Sequence, residues 1–231
     1  LTAKALGVEL LIHYGHSCLV PIEASDDFKV LYIFVDIKID PLHFIETICY
    51  NFKTDVRLAF VSTIQFVTTL QAACSRLTEL GYHVKLPQFK PLSPGEILGC
   101  TAPVIKCADA VVYLGDGRFH LEAAMIANPR LEAYKYDPYS KKFTRESYTH
   151  SEMQAIRKEC VSKARHAGKF GVIMGTLGRQ GNAKVVEHLR KRIVESNKEA
   201  VVILLSEIFP KKLELFATLD AFVQIACPRL S

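Results

Sequence analysis

Apolar strand-like runs alternating with amphipathic helical stretches predict an α/β protein assembled from small parallel sheets. Two further observations sharpen that prediction. Glycine-rich turns close the apolar runs, and sets of run, turn and helix recur along the chain. Ile12-His-Tyr-Gly15 followed by Phe34-Val-Asp36 parallels Val112-Tyr-Leu-Gly115 followed by Lys135-Tyr-Asp137. Phe60-Val-Ser-Thr63 before a helix parallels Ile173-Met-Gly-Thr176 before another. The expected organisation is three related small α/β domains, an internal triplication. Residues 1–54 form the remainder of a first domain truncated at its N-terminus, 55–149 a second and 150–231 a third.

Taken in order, Glu9–Tyr14 reads as a strand closed by Gly15, and Val30–Val35 as a strand buried on both faces. A short helix is expected from Pro41 to Tyr50, a strand over Val56–Val61, then a helix capped by Ser62-Thr63 and stopped by Gly81. Tyr82–Leu86 is the next strand. Pro91 to Pro103, with three prolines and two glycines, excludes regular structure and predicts a shaped loop presenting Cys100. A strand at Ala110–Leu114, a turn at Gly115–His120, a helix to Ala127 and a strand at Leu131–Tyr136 follow. Residues 138–149 read as a linker into an amphipathic helix over Ser151–Ala167. The third domain has strands near Gly171–Met174, Ala200–Leu205 and Ala221–Ala226, with a helix between the turn Gly175–Gly181 and Ser196.

Of the 231 residues, 49% are hydrophobic and 23% charged, the balance of a globular protein. No apolar run nears the roughly 20 residues of a membrane span. The seven cysteines are odd in number, scattered and free of any CxxC pair, so a reducing, cytoplasmic setting is expected. The start at Leu1 and the end just after Cys227 read as those of an internal fragment. The net charge of +5 conceals a strongly basic stretch at 138–198, which holds five Glu and no Asp. That stretch suits an acidic partner or a solvated helix face; no nucleic-acid-binding signature accompanies it, so no direct nucleic-acid contact is expected.

Three places could carry chemistry. Gly175-x-x-Gly178-x-x-Gly181 at a strand-to-helix junction can bind an anion, with Arg179 and Gln180 to grip a carboxylate, although tight packing also selects glycines there. Gly115-Asp-Gly-Arg-Phe-His120 gathers Asp116, Arg118 and His120 in one turn, either for binding or as a structural ion pair. His13, His16 and Cys18 are too few for zinc and suit hydrogen bonding instead. Core packing is expected to account for Cys49, Cys74, Cys107 and Cys160. Cys100 and Cys227 differ, because each precedes a proline-containing turn at a similar station of its domain. One such cysteine from each of three domains could hold three irons of a [4Fe–4S] cluster and leave the fourth open.

At these residues the sequence resembles the diphthamide-synthesis protein 1 family, subunit 1 of 2-(3-amino-3-carboxypropyl)histidine synthase. The matching stretches are His13–Pro21, Val61–Phe66, Pro91–Pro103, Tyr113–His120, Tyr136–Ser140, Gly175–Gly181 and Ala226–Ser231. The resemblance implies a radical enzyme that uses S-adenosylmethionine and a [4Fe–4S] cluster held by one cysteine from each of three domains. Its product radical adds a 3-amino-3-carboxypropyl group to a histidine of translation elongation factor 2. Cys100 and Cys227 would be the second and third cluster ligands, and the first would lie upstream of Leu1. The implied partners are a paralogous second subunit, the elongation factor as substrate and an electron-donor protein; no membrane is implied. Within that frame Arg179 and Gln180 are expected to bind the carboxylate of the cofactor, with His16, Asp116 and Arg118 lining its pocket. Two other readings stay open: a noncatalytic scaffold supporting a cluster-bearing partner, and a nucleotide-binding enzyme using the Gly175–Gly181 turn.

Overall fold

The computed structural model describes residues 6–15, 29–176 and 181–226. They divide into a larger compact unit, 10–15 with 30–150, and a smaller one, 151–176 and 181–226 together with 6–9 and 29. The protein is α/β with parallel sheets, as the alternation of runs and helices predicts.

The larger unit begins with a two-stranded sheet of β1 (Leu10–Tyr14) and β2 (Lys29–Ile33). Its main sheet contains β3 (Arg57–Ser62), β4 (His83–Lys85), β5 (Ala110–Leu114), β6 (Glu132–Asp137) and β7 (Lys142–Glu146), in the order β4-β3-β5-β6-β7. The first four are parallel and β7 is antiparallel to β6. β5 is buried along its whole length. Its side chains alternate between faces: Val112 and Leu114 join Phe44 and Ile48 of α1 (Leu42–Asn51) and Leu70 and Leu77 of α2 (Val67–Glu79). Val111 and Tyr113 join Leu121 and Met125 of α3 (Phe119–Ala127) on the other face. Apolar side chains at Val67, Leu70, Ala73 and Leu77 give α2 its buried stripe. That helix stops because Gly81 takes φ +87°, where its N–H reaches Thr78 O at 3.0 Å and the N–H of Tyr82 reaches Leu77 O at 3.0 Å.

α4 (His150–Arg165) leads into the smaller unit, which holds β8 (Lys169–Gly175), α5 (Ala183–Glu195), β9 (Glu199–Leu205), α6 (Pro210–Leu213) and β10 (Ala221–Ile225). The sheet is parallel in the order β10-β8-β9. Asn182 caps α5, its Oδ1 accepting the N–H groups of Lys184 and Val185 at 3.0 and 3.2 Å.

An aspartate bracket fixes the same register in both units. Arg57 N–H donates to Asp109 Oδ2 at 2.9 Å, and Asp109 N–H returns a bond to Arg57 O at 2.8 Å. Lys169 N–H donates to Asp220 Oδ2 at 2.8 Å, and Asp220 N–H returns one to Lys169 O at 2.9 Å. Leu58 then pairs with Ala110 as Phe170 pairs with Ala221. β3 and β5 therefore correspond to β8 and β10. This register sets Thr63 beside Gly175, one residue away from the Thr63–Thr176 match suggested by the sequence.

Three expectations need correction. Residues 138–149 are not a plain linker: Asp137 Oδ1 accepts the N–H groups of Tyr139 and Ser140 at 2.9 and 3.2 Å, Lys141 takes φ +53°, and the chain returns as β7. Val30–Val35 is not buried on both faces, since Leu31, Phe34 and Val35 are exposed. Cys107 and Cys160 are exposed too, so core packing accounts only for the half-buried Cys49 and Cys74.

Candidate functional site

The loop before β5 is pinned to the carboxyl end of β3. Ser62 N–H donates to Gly95 O at 2.8 Å and Ile97 N–H to Ser62 O at 2.9 Å, so this segment extends the sheet by one bridge. Gly95 is required there by φ +84° and by the Leu70 side chain, 2.8 Å from where a Cβ would stand. Buried Glu96 accepts the Ser93 N–H at 3.0 Å and closes the approach. Leu98 N–H then donates to Thr101 O at 3.0 Å, and Thr101 N–H to Leu98 O at 3.2 Å. These reciprocal bonds leave Gly99-Cys100 at the tip of a tight turn. Gly99 is buried, while Cys100 is exposed and its sulfur receives a contact from Thr101 Oγ1 at 3.6 Å.

The second turn, after β5, lies against the first. A Cβ on Gly99 would stand 1.9 Å from Phe119 Cε1, so glycine is the residue that lets the Cys100 turn rest on that ring. Asp116 is exposed just before Phe119, in a turn that Gly117 completes at φ +63°. Burial pushes the Tyr113 phenol up, the Asp116 carboxylate adding to the effect; its hydroxyl donates to Asp116 O at 3.4 Å. Thr63 is 2% exposed and its hydroxyl, beside the Tyr113 phenol, partly offsets that upward shift, so the carboxyl end of β3 carries buried hydroxyls at Ser62 and Thr63 together with buried Glu96.

Arg118 is engaged by protein. Nε donates to Glu122 Oε1 at 2.9 Å, one terminal nitrogen to Glu146 Oε2 at 2.7 Å and the other to Ser147 O. It ties the first turn of α3 to the end of β7, the structural ion-pair alternative for this motif. His16, Arg179, Gln180, Cys18 and Cys227 lie outside the described residues. In the glycine turn after β8, a Cβ on Gly175 would meet Ala226 Cβ at 2.6 Å and one on Gly181 would meet Gly175 O at 2.4 Å. Close packing thus selects both glycines.

Cys100 and Cys227 do not share a station. Within the aspartate register Cys100 precedes Asp109 and β5, whereas Cys227 follows Asp220 and β10. Carried one residue past the strands, the register sets Gly115 beside Ala226, the last of the described residues. Gly15 and Gly115 also correspond: each closes a strand and donates its N–H to the neighbouring strand, to Ile33 O at 3.1 Å and Tyr136 O at 3.0 Å. Sequence reasoning missed the Phe119–Gly99 contact and both brackets. The brackets had a signal, an Asp-Ala dipeptide opening each apolar run at Asp109-Ala110 and Asp220-Ala221.

A thiol turn and an acidic turn thus stand together in an α/β protein with parallel sheets, near the carboxyl ends of its strands, the edge where ligands of such proteins gather. A family model for diphthamide synthesis proteins matches residues 1–231, and the chain belongs to that family. It is 57% identical over 230 residues to 2-(3-amino-3-carboxypropyl)histidine synthase subunit 1 of Nematostella vectensis, covering 100% of this chain and 49% of the relative. The Homo sapiens subunit 1 is 57% identical over 232 residues, covering 100% and 53%. The chain thus spans about half the length of the curated relatives it matches. Among solved structures, Dph2 from Pyrococcus horikoshii aligns with TM-score 0.74 and 27% identity over 99% of this chain and 66% of its own. The same protein with a 4Fe-4S cluster gives TM-score 0.75 and 26% identity over 99% and 67%.

Proposed function

We propose that the chain is part of a histidine synthase subunit 1 that presents Cys100 to a [4Fe–4S] cluster. The enzyme transfers a 3-amino-3-carboxypropyl group from S-adenosylmethionine to a histidine of translation elongation factor 2, the first step of diphthamide biosynthesis. The observation that carries this reading is the Cys100 turn: a buried, glycine-dependent hairpin that holds an exposed thiol at its tip. The names of the relatives and the 4Fe-4S cluster of the Dph2 neighbour support it.

An exposed thiol suits iron ligation, which requires the thiolate. Among the described residues no three His, Cys, Asp or Glu side chains gather into a metal site; of the exposed thiols Cys100, Cys107 and Cys160, Cys100 is the one held at the tip of the turn pinned to β3. Cys227 would supply a second. A cluster held there would supply, once reduced, the electron that splits the sulfonium of S-adenosylmethionine. The protein's own groups hold and orient. Cys100, as its thiolate, would hold one iron. Asp116, with His16, would receive the ammonium end of the cofactor, and Arg179 with Gln180 its carboxylate. Arg118 fixes the turn carrying Asp116 and Phe119. We further propose that β1–β2, the rest of the larger unit and the smaller unit descend from one repeated domain with boundaries near 54 and 149. A paralogous second subunit, the elongation factor and an electron donor are the proposed partners, in the cytoplasm. No helix of the described residues is long and apolar enough to cross a membrane.

The test is anaerobic reconstitution of the full-length subunit, with iron and sulfide and in the presence of the paralogous subunit. Wild type and Cys107→Ala are expected to gain the same visible absorbance and iron content, and Cys100→Ala and Cys227→Ala to lose most of both. A cluster indifferent to Cys100 overturns the reading and leaves a scaffold role for the loop.

A further inference from the structure

The geometry points to Phe119 as the positioning residue for the Cys100 thiol, an inference that rests on Cys100 being the iron ligand. The role is an indirect one, exerted through Gly99. The ring occupies the space a side chain at Gly99 would fill: the three nearest atoms to an added Cβ are Cε1, Cζ and Cδ1 of Phe119, at 1.9, 2.6 and 2.7 Å. No other described glycine would bring a Cβ so close to a side chain or backbone atom.

Both partners in this contact are held from behind. On the thiol side, the Leu98–Thr101 hydrogen bonds close the turn and the Ser62–Gly95 and Ile97–Ser62 bonds anchor its approach to β3. On the ring side, Arg118 precedes Phe119 and is bonded to Glu122 on the same helix and to Glu146 and Ser147 at the end of β7. Phe119 is also the first residue of α3, whose Leu121, Ala124 and Met125 are buried in the core. The ring therefore has a fixed origin, and the Cys100 turn rests on it. A rigid sheet edge is converted into a fixed thiol position through one aromatic contact, and the same contact sets the spacing between Cys100 and Asp116. A metal ligand must be held close to its productive position by its supporting shell.

Complementary size exchange tests this in the protein before any cluster is present. The readout is the alkylation rate of Cys100 by a small maleimide, measured by peptide mass spectrometry against exposed Cys160 as internal standard. Gly99→Ala is expected to change the Cys100 rate, and Phe119→Ala added to it to return the rate toward wild type. The coupling between the two should be at least about twofold, the lower end for residues in direct contact. The Cys160 rate should stay constant. Phe119→Leu alone, which keeps an apolar side chain but loosens the contact, should raise the Cys100 rate, and Phe119→Tyr should keep it near wild type. After reconstitution, Phe119→Leu should alter the electron paramagnetic resonance signal of the reduced cluster while Phe119→Tyr preserves it.

Additive effects of Gly99→Ala and Phe119→Ala overturn the proposal. Should Gly99→Ala fail to fold, Phe119→Leu decides: an unchanged Cys100 rate overturns it. Altered alkylation with no Cys100-dependent cluster in wild type removes the iron-ligand reading, and with it the role assigned to Phe119. A Cys100-dependent cluster with spectrum and alkylation blind to Phe119→Leu removes the positioning role and leaves the iron reading intact.

Discussion

Asp109 does at residue scale what would otherwise require several side chains. The Arg57 guanidinium, at 2.5 Å, and the Arg57 N–H hold its carboxyl at about 2, below the ordinary aspartate value. A carboxyl whose pKa is lower in the folded state stabilises the fold above its unfolded value of about 3.9 and loses that contribution as pH falls toward the folded value. Asp220 is shifted in the same direction, by the N–H groups of Lys169 and Gly168. Urea midpoints measured from pH 6 down to pH 2 should therefore fall less steeply for Asp109→Asn than for wild type, with the two curves converging at the acid end. Parallel curves would mean that the bracket does not couple protonation to folding. The neutral variant can still accept the Arg57 N–H through its amide oxygen, so register is expected to survive.

At the scale of elements, what was legible depended on whether the signal was local. β3, β5 and α2 were readable because β-branched runs, apolar spacing and a glycine stop are properties of contiguous residues. β7 was missed because its strand residues Lys142-Phe-Thr-Arg-Glu146 are mostly polar and exposed, and its evidence is the pairing with β6. The Cys100 loop was readable as irregular from its prolines, yet its attachment at Ser62 is a long-range bond that no local pattern encodes. Arg118 shows the same limit: Glu122 is visible at helical spacing, but Glu146 is brought in by the hairpin. The side chain of Glu146 is 14% exposed, so losing its cation would cost about 1–3 kcal/mol. Arg118→Ala should accordingly lower the thermal midpoint while leaving S-adenosylmethionine affinity near wild type in the reconstituted complex. Arg179→Ala should do the reverse, weakening cofactor binding without touching stability or cluster content. Loss of cofactor binding in a folded Arg118→Ala would return Arg118 to the pocket.

Across the whole molecule, apolar side chains are distributed unevenly between core and surface. The main sheet of the larger unit buries its apolar residues on both faces, whereas the β1–β2 sheet leaves Leu10, Leu11, Ile12, Tyr14 and Leu31 exposed, with Phe34 and Val35 just beyond it. By correspondence of Gly15 with Gly115, β1 and β2 match β5 and β6, which are central strands in the larger sheet. Among the described residues, runs with a central-strand composition thus stand in a two-stranded sheet, an arrangement marginal in water and prone to edge pairing. The 231-residue chain is therefore expected to self-associate, with this sheet as the contact. Ile12 and Leu31 are 46% and 49% exposed, and burying either in an association contact is worth up to about 1.5–3 kcal/mol. Ile12→Lys with Leu31→Lys should weaken self-association at least about tenfold by analytical ultracentrifugation. The same pair of substitutions should leave the far-ultraviolet dichroism unchanged, because neither side chain is in the core. Association of undiminished strength in the double variant would move the contact elsewhere, and β9, with Val201, Val202 and Leu204 exposed, would be the next strand to charge.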